Sequence, residues 1–324
     1  MQRRGFLTLS GLTLGASVLE ASGIRLSSGV VAAAAIALGA YISGAPDDPA
    51  ILDRFTGMVG VAPAVVMWYQ DWAHSTFDPT RMDAVTARGL MPMVTWEPWN
   101  YTLGASQPAY ALKKIIGGAY DTYLHQWARA AAAWGKHFYL RFAHEMNANW
   151  YPWGAGVNGN TPSQYVSAWR HVAAIFRQEG ATNARWVWCP NIGGSATAAY
   201  RPFYPGDAYV GWVGMDGYNW GATQTWSHWQ DLGTVFGGTY SALASLTAKP
   251  MMIGETASAE QGGNKPGWIT AGFLHSIPAT FPRIRAVIWF DENKETDWRV
   301  NSSSASLAAY RQIATSAIYQ GRLS

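Results

Sequence analysis

The sequence predicts an α/β protein built as a single (β/α)8 TIM barrel. Eight short apolar runs with high β-propensity recur along the chain, and segments with helical periodicity lie between them. The C-terminal ends of these runs are about 35 residues apart, which is the size of a strand with its crossover helix, and eight such units close into a barrel. No linker rich in Gly, Ser or Pro divides the chain, so residues 36–324 are expected to form one domain.

Each element has its own local signal. The predicted strands are Ile36–Ile42, Ala64–Tyr69, Leu90–Trp96, His137–Ala143, Arg185–Pro190, Val210–Gly217, Pro250–Gly254 and Arg285–Phe290. Apolar positions at helical spacing predict helices over 79–88, 110–134 and 162–178. The last of these has Thr161 as its N-cap, Pro162 in its first turn and Gly180 after its end.

Residues 1–35 are interpreted as an export signal and leader. Arg3 and Arg4 precede an apolar run that ends near Leu19, the order found in twin-arginine signals. A second apolar stretch, over 30–42, is shorter than the ~20 residues that a transmembrane helix needs. We therefore expect a secreted or periplasmic protein with no membrane span.

Composition excludes several classes of function. With 49% apolar and 13% charged residues the chain is globular, and its net charge of +3 comes from scattered Lys and Arg, which argues against nucleic acid as a partner. The single cysteine, Cys189, excludes an internal disulfide, and no Cys/His cluster accompanies it to bind zinc. The chain has no P-loop, dinucleotide fingerprint or nucleophile elbow. We expect a monomer with neither a metal nor a cofactor.

Acidic residues follow several of the predicted strands, where the side chains of a barrel share one mouth. Four of the eight glutamates lie there: Glu97, Glu145, Glu255 and Glu292. Glu145 and Glu255 are 110 residues apart, or three β/α units. Cleavage of a glycosidic bond needs such a pair, one carboxylic acid to protonate the leaving oxygen and one carboxylate to attack or to activate water. Glu145 is the candidate acid. His144 and Trp150 flank it, and the poor solvation expected beside such side chains raises the pKa of a carboxyl.

Aromatic residues make up 14% of the chain, more than a core requires. Trp and Tyr rings stack on the apolar faces of sugars, so tryptophans at strand ends or in the following loops are candidates to line a groove. They are Trp68, Trp72, Trp96, Trp99, Trp150, Trp153, Trp220 and Trp289. We expect Trp289 to form the floor under the reacting sugar and Asn149 to bond a substrate hydroxyl. Asp71 and Asp216 are expected to support the site.

The segment 141–154, RFAHEMNANWYPWG, resembles the acid/base segment of glycoside hydrolase family 26. The resemblance extends from about Leu38 to Ile313, through GAY, YQDW, WEPW, GMDGYNW and IGE at the first, second, third, sixth and seventh strands. It implies a retaining β-glycanase that uses Glu145 as acid/base and Glu255 as nucleophile. It also implies that His144 orients the acid/base and the sugar, that Tyr218 hydrogen-bonds Glu255 and that Arg141 supports the site.

The family resemblance makes β-1,4-mannan the first expected substrate and endo-hydrolysis the expected action. Phe142, Ala148 and Pro152 depart from the pattern of many mannanases and are expected to alter the rim of the groove. Mixed-linkage β-1,3-1,4-glucan and β-1,3-xylan are therefore alternative substrates. A glycan-binding barrel without turnover and a transglycosylase are the alternative functions.

Overall fold

A closed barrel of eight parallel strands forms the centre of the molecule. The computed structural model describes residues 35–323, so the expected export signal lies outside the described residues except for Ala35. The strands are β1 (Ala37–Ile42), β2 (Val65–Asp71), β3 (Met91–Glu97), β4 (Phe138–Phe142), β5 (Ala184–Trp188), β6 (Trp212–Asp216), β7 (Met251–Thr256) and β8 (Ile284–Asp291). Each strand pairs with its neighbours in the chain, and β8 closes on β1 with Ala37 opposite Ala286. The predicted fold class is confirmed, and each predicted run overlaps one strand.

Helices surround the barrel. They are α1 (Pro49–Val59), α2 (Pro79–Thr86), α3 (Leu112–Ile116), α4 (Asp121–Trp134), α5 (Pro162–Gln178), α6 (Leu232–Leu246), α7 (Lys265–Ala271), α8 (Ile277–Thr280) and α9 (Ser304–Thr315). Short 3₁₀ turns span Pro108–Tyr110, Val157–Gly159, Thr197–Ala199, Arg201–Phe203 and Ala317–Tyr319, and a π-helical turn spans Gly272–Ser276. Over residues 35–323 we find no helix whose length and hydropathy would let it cross a bilayer.

Two of the predicted helices show how local sequence sets their bounds. The helix α5 begins and ends as expected, and a capping box of Thr161 and Gln164 satisfies its first backbone amides. The helix expected over 110–134 is instead divided into α3 and α4. Gly117 and Gly118 separate them, and Gly118 adopts a φ of 81°, a left-handed conformation that ends a helix.

Side chains pack in two layers, one inside the barrel and one between the strands and helices. The inner layer contains Val65, Met67, Met93, Tyr139, Val187, Met252 and Ile288. The outer layer is larger and holds most of the buried tryptophans. A filled interior leaves the C-terminal ends of the strands as the place where polar groups can meet a ligand.

Trp96 and Trp289 belong to the outer layer, so their expected roles in the groove are wrong. Both are fully buried; the indole of Trp96 donates to the hydroxyl of Tyr123, and the indole of Trp289 donates to the carbonyl of Trp298. Successive side chains of a strand point to opposite faces. Because Thr95 and Ile288 face the barrel interior, Trp96 and Trp289 face the helices.

Candidate active site

Two buried glutamates lie at the mouth that the C-terminal ends of the strands form. Glu145 follows β4 and is 6% exposed, and Glu255 lies in β7 and is 5% exposed. Burial and, after it, the negative charge of Glu255 raise the pKa of Glu145. The two carboxylates that the sequence singled out are therefore close enough to interact electrostatically.

Three donors surround the carboxylate of Glu255. The hydroxyl of Tyr69 donates to its Oε1 at 2.6 Å, the hydroxyl of Tyr218 donates to its Oε2 at 2.5 Å, and Arg141 donates to its Oε1. The hydrogen bond from Tyr218 is the one that the family resemblance implied. Donors on β2, β4 and the loop after β6 together hold this carboxylate in one orientation.

Glu145 has a different environment. Its Oε1 accepts a hydrogen bond from the amide of Asn191 at 2.7 Å, and its Oε2 accepts one from the indole of Trp150 at 2.6 Å. Burial is the main cause that raises its pKa to about 7, and the charge of Glu255 adds to it, whereas the two hydrogen bonds oppose the rise. A carboxyl that titrates near neutrality can exchange a proton in either direction at working pH.

Arg141 connects the site to the barrel interior. Its guanidinium is fully buried and donates to Thr95 Oγ1 at 2.7 Å, to Asp216 Oδ2 at 2.7 Å and to Glu255. The thiol of Cys189 donates to the other oxygen of Asp216 at 3.0 Å. Burial raises the pKa of Asp216 well above its usual value, although the charge of Arg141 opposes that rise. Asp216 thus supports Arg141, as expected for a residue behind the site.

His144 lies between two carboxyl groups. Its Nδ1 is 3.9 Å from Glu97 Oε1 and its Nε2 is 3.9 Å from Glu255 Oε1, so neither nitrogen makes a hydrogen bond within the described chain. Burial, followed by the charge of Arg141, holds the pKa of His144 well below its usual value. The neutral ring therefore offers one donor and one acceptor to a ligand.

Glu97 also lines this part of the mouth. It is 4% exposed, and the indole of Trp99 donates to its Oε2 at 3.0 Å. Burial raises its pKa to about 8. Glu97 is one of the four glutamates expected at strand ends, and His144 lies between it and Glu255. Glu292 lies farther out, where its carboxylate accepts a hydrogen bond from Ser43.

Asn149 lies at the surface, and its expected bond to a substrate hydroxyl stays a prediction. It is exposed and makes no hydrogen bond to another described residue. Asn147 instead exchanges two hydrogen bonds with the backbone of Asn191, at 2.8 and 2.9 Å, and Asn191 contacts Glu145. The segment 146–149 forms a turn after β4, and this turn directs Asn147 inward and Asn149 to solvent.

Sequence reasoning missed Asn191 and Tyr69 as polar partners of the two glutamates. Asn191 follows β5, a strand end for which no site residue was named. Tyr69 was noted only as part of the YQDW segment. The same strand-end rule that selected the glutamates would have selected both.

Aromatic rings cluster around the polar groups of the mouth. Tyr151 stacks on Trp153 at 4.5 Å and also contacts the ring of His144 at 4.8 Å. Trp298 contacts the rings of Tyr218 at 5.0 Å and Trp220 at 4.9 Å. Because Trp153 and Trp298 are fully buried, the partly exposed rings of Tyr151, Tyr218 and Trp220 are the ones that a ligand with apolar faces could contact.

The donor set at the centre of the mouth does not fit a metal ion. Single ligand atoms of His144, Asp216 and Glu255 come within 4.8 Å of one another. The guanidinium of Arg141, however, already donates to both carboxylates of this group. The buried positive charge of Arg141 would repel a cation placed there, and its N–H groups already bond the carboxylate oxygens.

Two known proteins are similar to this chain in sequence. Endoglucanase H of Acetivibrio thermocellus is 42% identical over 285 residues, which cover 86% of this chain and 30% of that protein. The β-1,3-xylanase TXYA of a Vibrio species is 23% identical over 68% of this chain and 47% of its own length. The chain thus spans less than half the length of these relatives.

A solved structure has a similar fold. A modular endo-β-1,4-mannanase from Cellulomonas fimi superposes with a TM-score of 0.70 at 20% identity, over 88% of this chain and 71% of the other. Residues 91–271 match the sequence profile of glycosyl hydrolase family 26. This range, which contains both glutamates, is more than half of the chain. The chain belongs to glycosyl hydrolase family 26.

Proposed function

We propose that this protein is a retaining endo-β-glycanase in which Glu255 is the nucleophile and Glu145 is the acid/base. The single observation that carries the proposal is the contrast between the two carboxyls. Glu255 is oriented by Tyr69, Tyr218 and Arg141, whereas burial and the charge of Glu255 raise the pKa of Glu145 to about 7. Two carboxyls with different environments can take the two roles of the double displacement.

In the first step the carboxylate of Glu255 forms a bond to the anomeric carbon, and the bond from that carbon to the bridging oxygen breaks. Glu145 gives its proton to the departing oxygen, so the leaving sugar carries a hydroxyl. In the second step ionised Glu145 takes a proton from water, and the water oxygen replaces Glu255 at the anomeric carbon. Both steps invert that carbon, and the product keeps the original configuration.

The protein side chains around the pair support these steps. Hydrogen bonds from Tyr69 and Tyr218 aim Glu255, and Arg141 balances its charge while the site is empty. Neutral His144, with no hydrogen-bond partner in residues 35–323, is available to a sugar hydroxyl. Trp150 and Asn191 stabilise the ionised form of Glu145 that follows the first proton transfer.

For the substrate, we place a β-glucan backbone first and β-1,4-mannan second. The relative named endoglucanase H matches 86% of this chain at 42% identity, whereas the mannanase structure from C. fimi is 20% identical and supports only the fold. Mannan, the first expectation from sequence, thus becomes the second candidate. The Vibrio relative keeps β-1,3-xylan as a third.

The test is the release of reducing ends from mixed-linkage β-glucan, β-1,4-mannan and β-1,3-xylan by the purified protein. Replacement Glu255→Gln should abolish release from the preferred polymer, and so should Glu145→Gln. Glu179→Gln is the matched control, because Glu179 pairs with His125 and Arg129 on the surface beside α5. Full activity of Glu255→Gln would refute the assignment of the nucleophile.

Stereochemistry and product length separate the alternatives. The first-formed anomer, followed by NMR, should have the configuration of the substrate. Products longer than the substrate would indicate transfer to sugar in place of water. Tight binding to a polymer with no product on any substrate would favour a glycan-binding barrel. We also keep as proposals that residues 1–35 direct export and that 36–324 act as a monomeric catalytic domain.

A further inference from the structure

The loop after β6 presents a largely exposed tryptophan to solvent. Trp226 is 68% exposed, the largest exposed fraction among the large apolar side chains described. Such exposure of an indole is unfavourable in water, and its surroundings do not require it for packing. Nothing in the proposed chemistry at Glu145 and Glu255 uses this side chain.

The loop itself is tightly held. The buried side chain of Asn219 accepts hydrogen bonds from the backbone amides of Gly221, at 3.2 Å, and Gln230, at 3.0 Å. The hydroxyl of Ser227 donates to the carbonyl of Gly221 at 2.8 Å. Both ends of the turn that carries Trp226 are therefore fixed, and the indole is held in place without being buried.

The position of Gly221 shows how closely this loop packs on its neighbour. Gly221 has a φ of 53°, and a Cβ there would lie 1.9 Å from the carbonyl oxygen of Gln261. The amide of Ala222 donates to that same carbonyl at 3.0 Å. The loops after β6 and β7 thus support each other four to five residues before Trp226 in the chain.

A series of ring contacts joins Trp226 to the glutamates. The rings of Trp226 and Trp220 are 5.3 Å apart, and those of Trp220 and Tyr218 are 6.3 Å apart. Tyr218 donates its hydroxyl to Glu255. The exposed indole is therefore two ring contacts from Tyr218, the side chain that touches the proposed nucleophile.

We propose that Trp226 is a stacking platform for a sugar unit of the β-glycan, one that lies beyond the two units flanking the cleaved bond. This inference rests on the proposed function and adds a distal binding position to it. Aromatic faces bind the apolar faces of pyranose rings, and polar side chains beside the platform can bond the hydroxyls. The exposed chain neighbours that can supply such groups are Thr225 and His228.

The surroundings favour a sugar chain over a protein as occupant. One exposed ring among neutral polar side chains is much smaller than the apolar core of a stable protein interface, which needs roughly 1,000 Å² or more of buried area. A polysaccharide that extends from the mouth would reach this ring without any other contact surface. The platform would therefore act on long substrates and not on short ones.

The experiment compares Trp226→Ala and Trp226→Tyr with the unsubstituted protein on oligosaccharides of increasing length from the preferred backbone. We expect kcat/KM of Trp226→Ala to fall about ten-fold on the longest oligosaccharides, equal to about 1.4 kcal/mol of binding free energy. Trp226→Tyr should retain most of the activity. A short nitrophenyl glycoside, which cannot reach the platform, should be cleaved at an unchanged rate by all three proteins.

Leu103→Ala is the matched control, because Leu103 is also apolar and 56% exposed, on the loop after β3. Equal melting temperatures would show that no variant is misfolded, as expected for exposed side chains. An unchanged dependence on substrate length in Trp226→Ala would overturn the platform, although hydrolysis by the unsubstituted protein would still support the proposed function. A protein that cleaves none of the substrates would instead refute the proposed function itself.

Discussion

Removal of the buried guanidinium should destabilise the protein strongly. Arg141 is fully buried and donates to Asp216 and Glu255. Loss of one partner from a buried ion pair typically costs about 3–5 kcal/mol, because a charge stays buried without compensation. Arg141→Met should therefore lower the free energy of unfolding by about 3–5 kcal/mol at pH 7. For a domain of this size the melting temperature should fall by roughly 5–8 °C.

The penalty should also depend on pH. Burial already raises the pKa of Asp216 well above its usual value, and the charge of Arg141 opposes that rise, so without Arg141 the folded-state pKa of Asp216 rises further. The folded variant then binds more protons than the unfolded chain, and its stability falls as pH rises. The difference between Arg141→Met and the unsubstituted protein should thus be smaller at pH 5 than at pH 7.

Urea unfolding at both pH values measures these differences. Arg129→Met serves as the matched control, since Arg129 forms a half-exposed pair with Glu179, and exposed pairs contribute only about 0.2–1 kcal/mol. The double variant Arg141→Met/Asp216→Leu should recover part of the lost stability, because it removes one of the two uncompensated carboxylates. A loss below about 1 kcal/mol for Arg141→Met, or a loss that is equal at both pH values, would refute this reasoning.

Three further substitutions test the remaining groups. Trp150→Phe removes a hydrogen bond that stabilises the carboxylate of Glu145 and should raise the pKa of Glu145 above about 7. The fall of kcat/KM at alkaline pH should therefore move to higher pH. A pH profile identical to that of the unsubstituted protein would contradict this. Trp289→Phe should lower the free energy of unfolding by about 1–3 kcal/mol with KM unchanged, because the ring packs among helices; a raised KM in enzyme assays would restore the groove interpretation. Burial lowers the pKa of Lys265 from 10.5 to about 8, so between these pH values the unfolded chain binds more protons than the folded protein. The free energy of unfolding of the unsubstituted protein, measured in urea, should therefore rise with pH across that range relative to that of Lys265→Met.

The fold could be predicted because its signals are local and periodic. Eight apolar runs at regular spacing specify eight strands, and their C-terminal ends specify one mouth. The break between α3 and α4 was missed because the apolar pattern continues through Gly117 and Gly118. Two adjacent glycines within a predicted helix were sufficient signal for that break.

The candidate site was predicted in part, and the errors share one cause. Glu145, Glu255 and Tyr218 come together because each follows or ends a strand. Trp96 and Trp289 were assigned to the groove from their position along the strand, without asking which face they occupy. Strand alternation assigns both to the helix side once one inward neighbour is known.

The position of His144 beside Glu145 could not be predicted by that rule, because alternation would send two consecutive residues to opposite faces. The chain resolves this with left-handed backbone at two residues that are not glycine, Ala143 with a φ of 43° and Glu145 with a φ of 52°. Such conformations cost of order 1–3 kcal/mol each.

Three hydrogen bonds from distant parts of the chain offset that strain. The hydroxyl of Tyr165 donates to the carbonyl of Ala143, the indole of Trp153 donates to the carbonyl of His144, and the amide of Glu145 donates to the carbonyl of Cys189. At about 1 kcal/mol each, these bonds are comparable in size to the strain that they oppose. Directly after β4, therefore, α5, the loop after β4 and the residue after β5 hold the backbone in a conformation that strand alternation does not allow, and this is why an imidazole and a carboxyl from adjacent residues reach the same mouth.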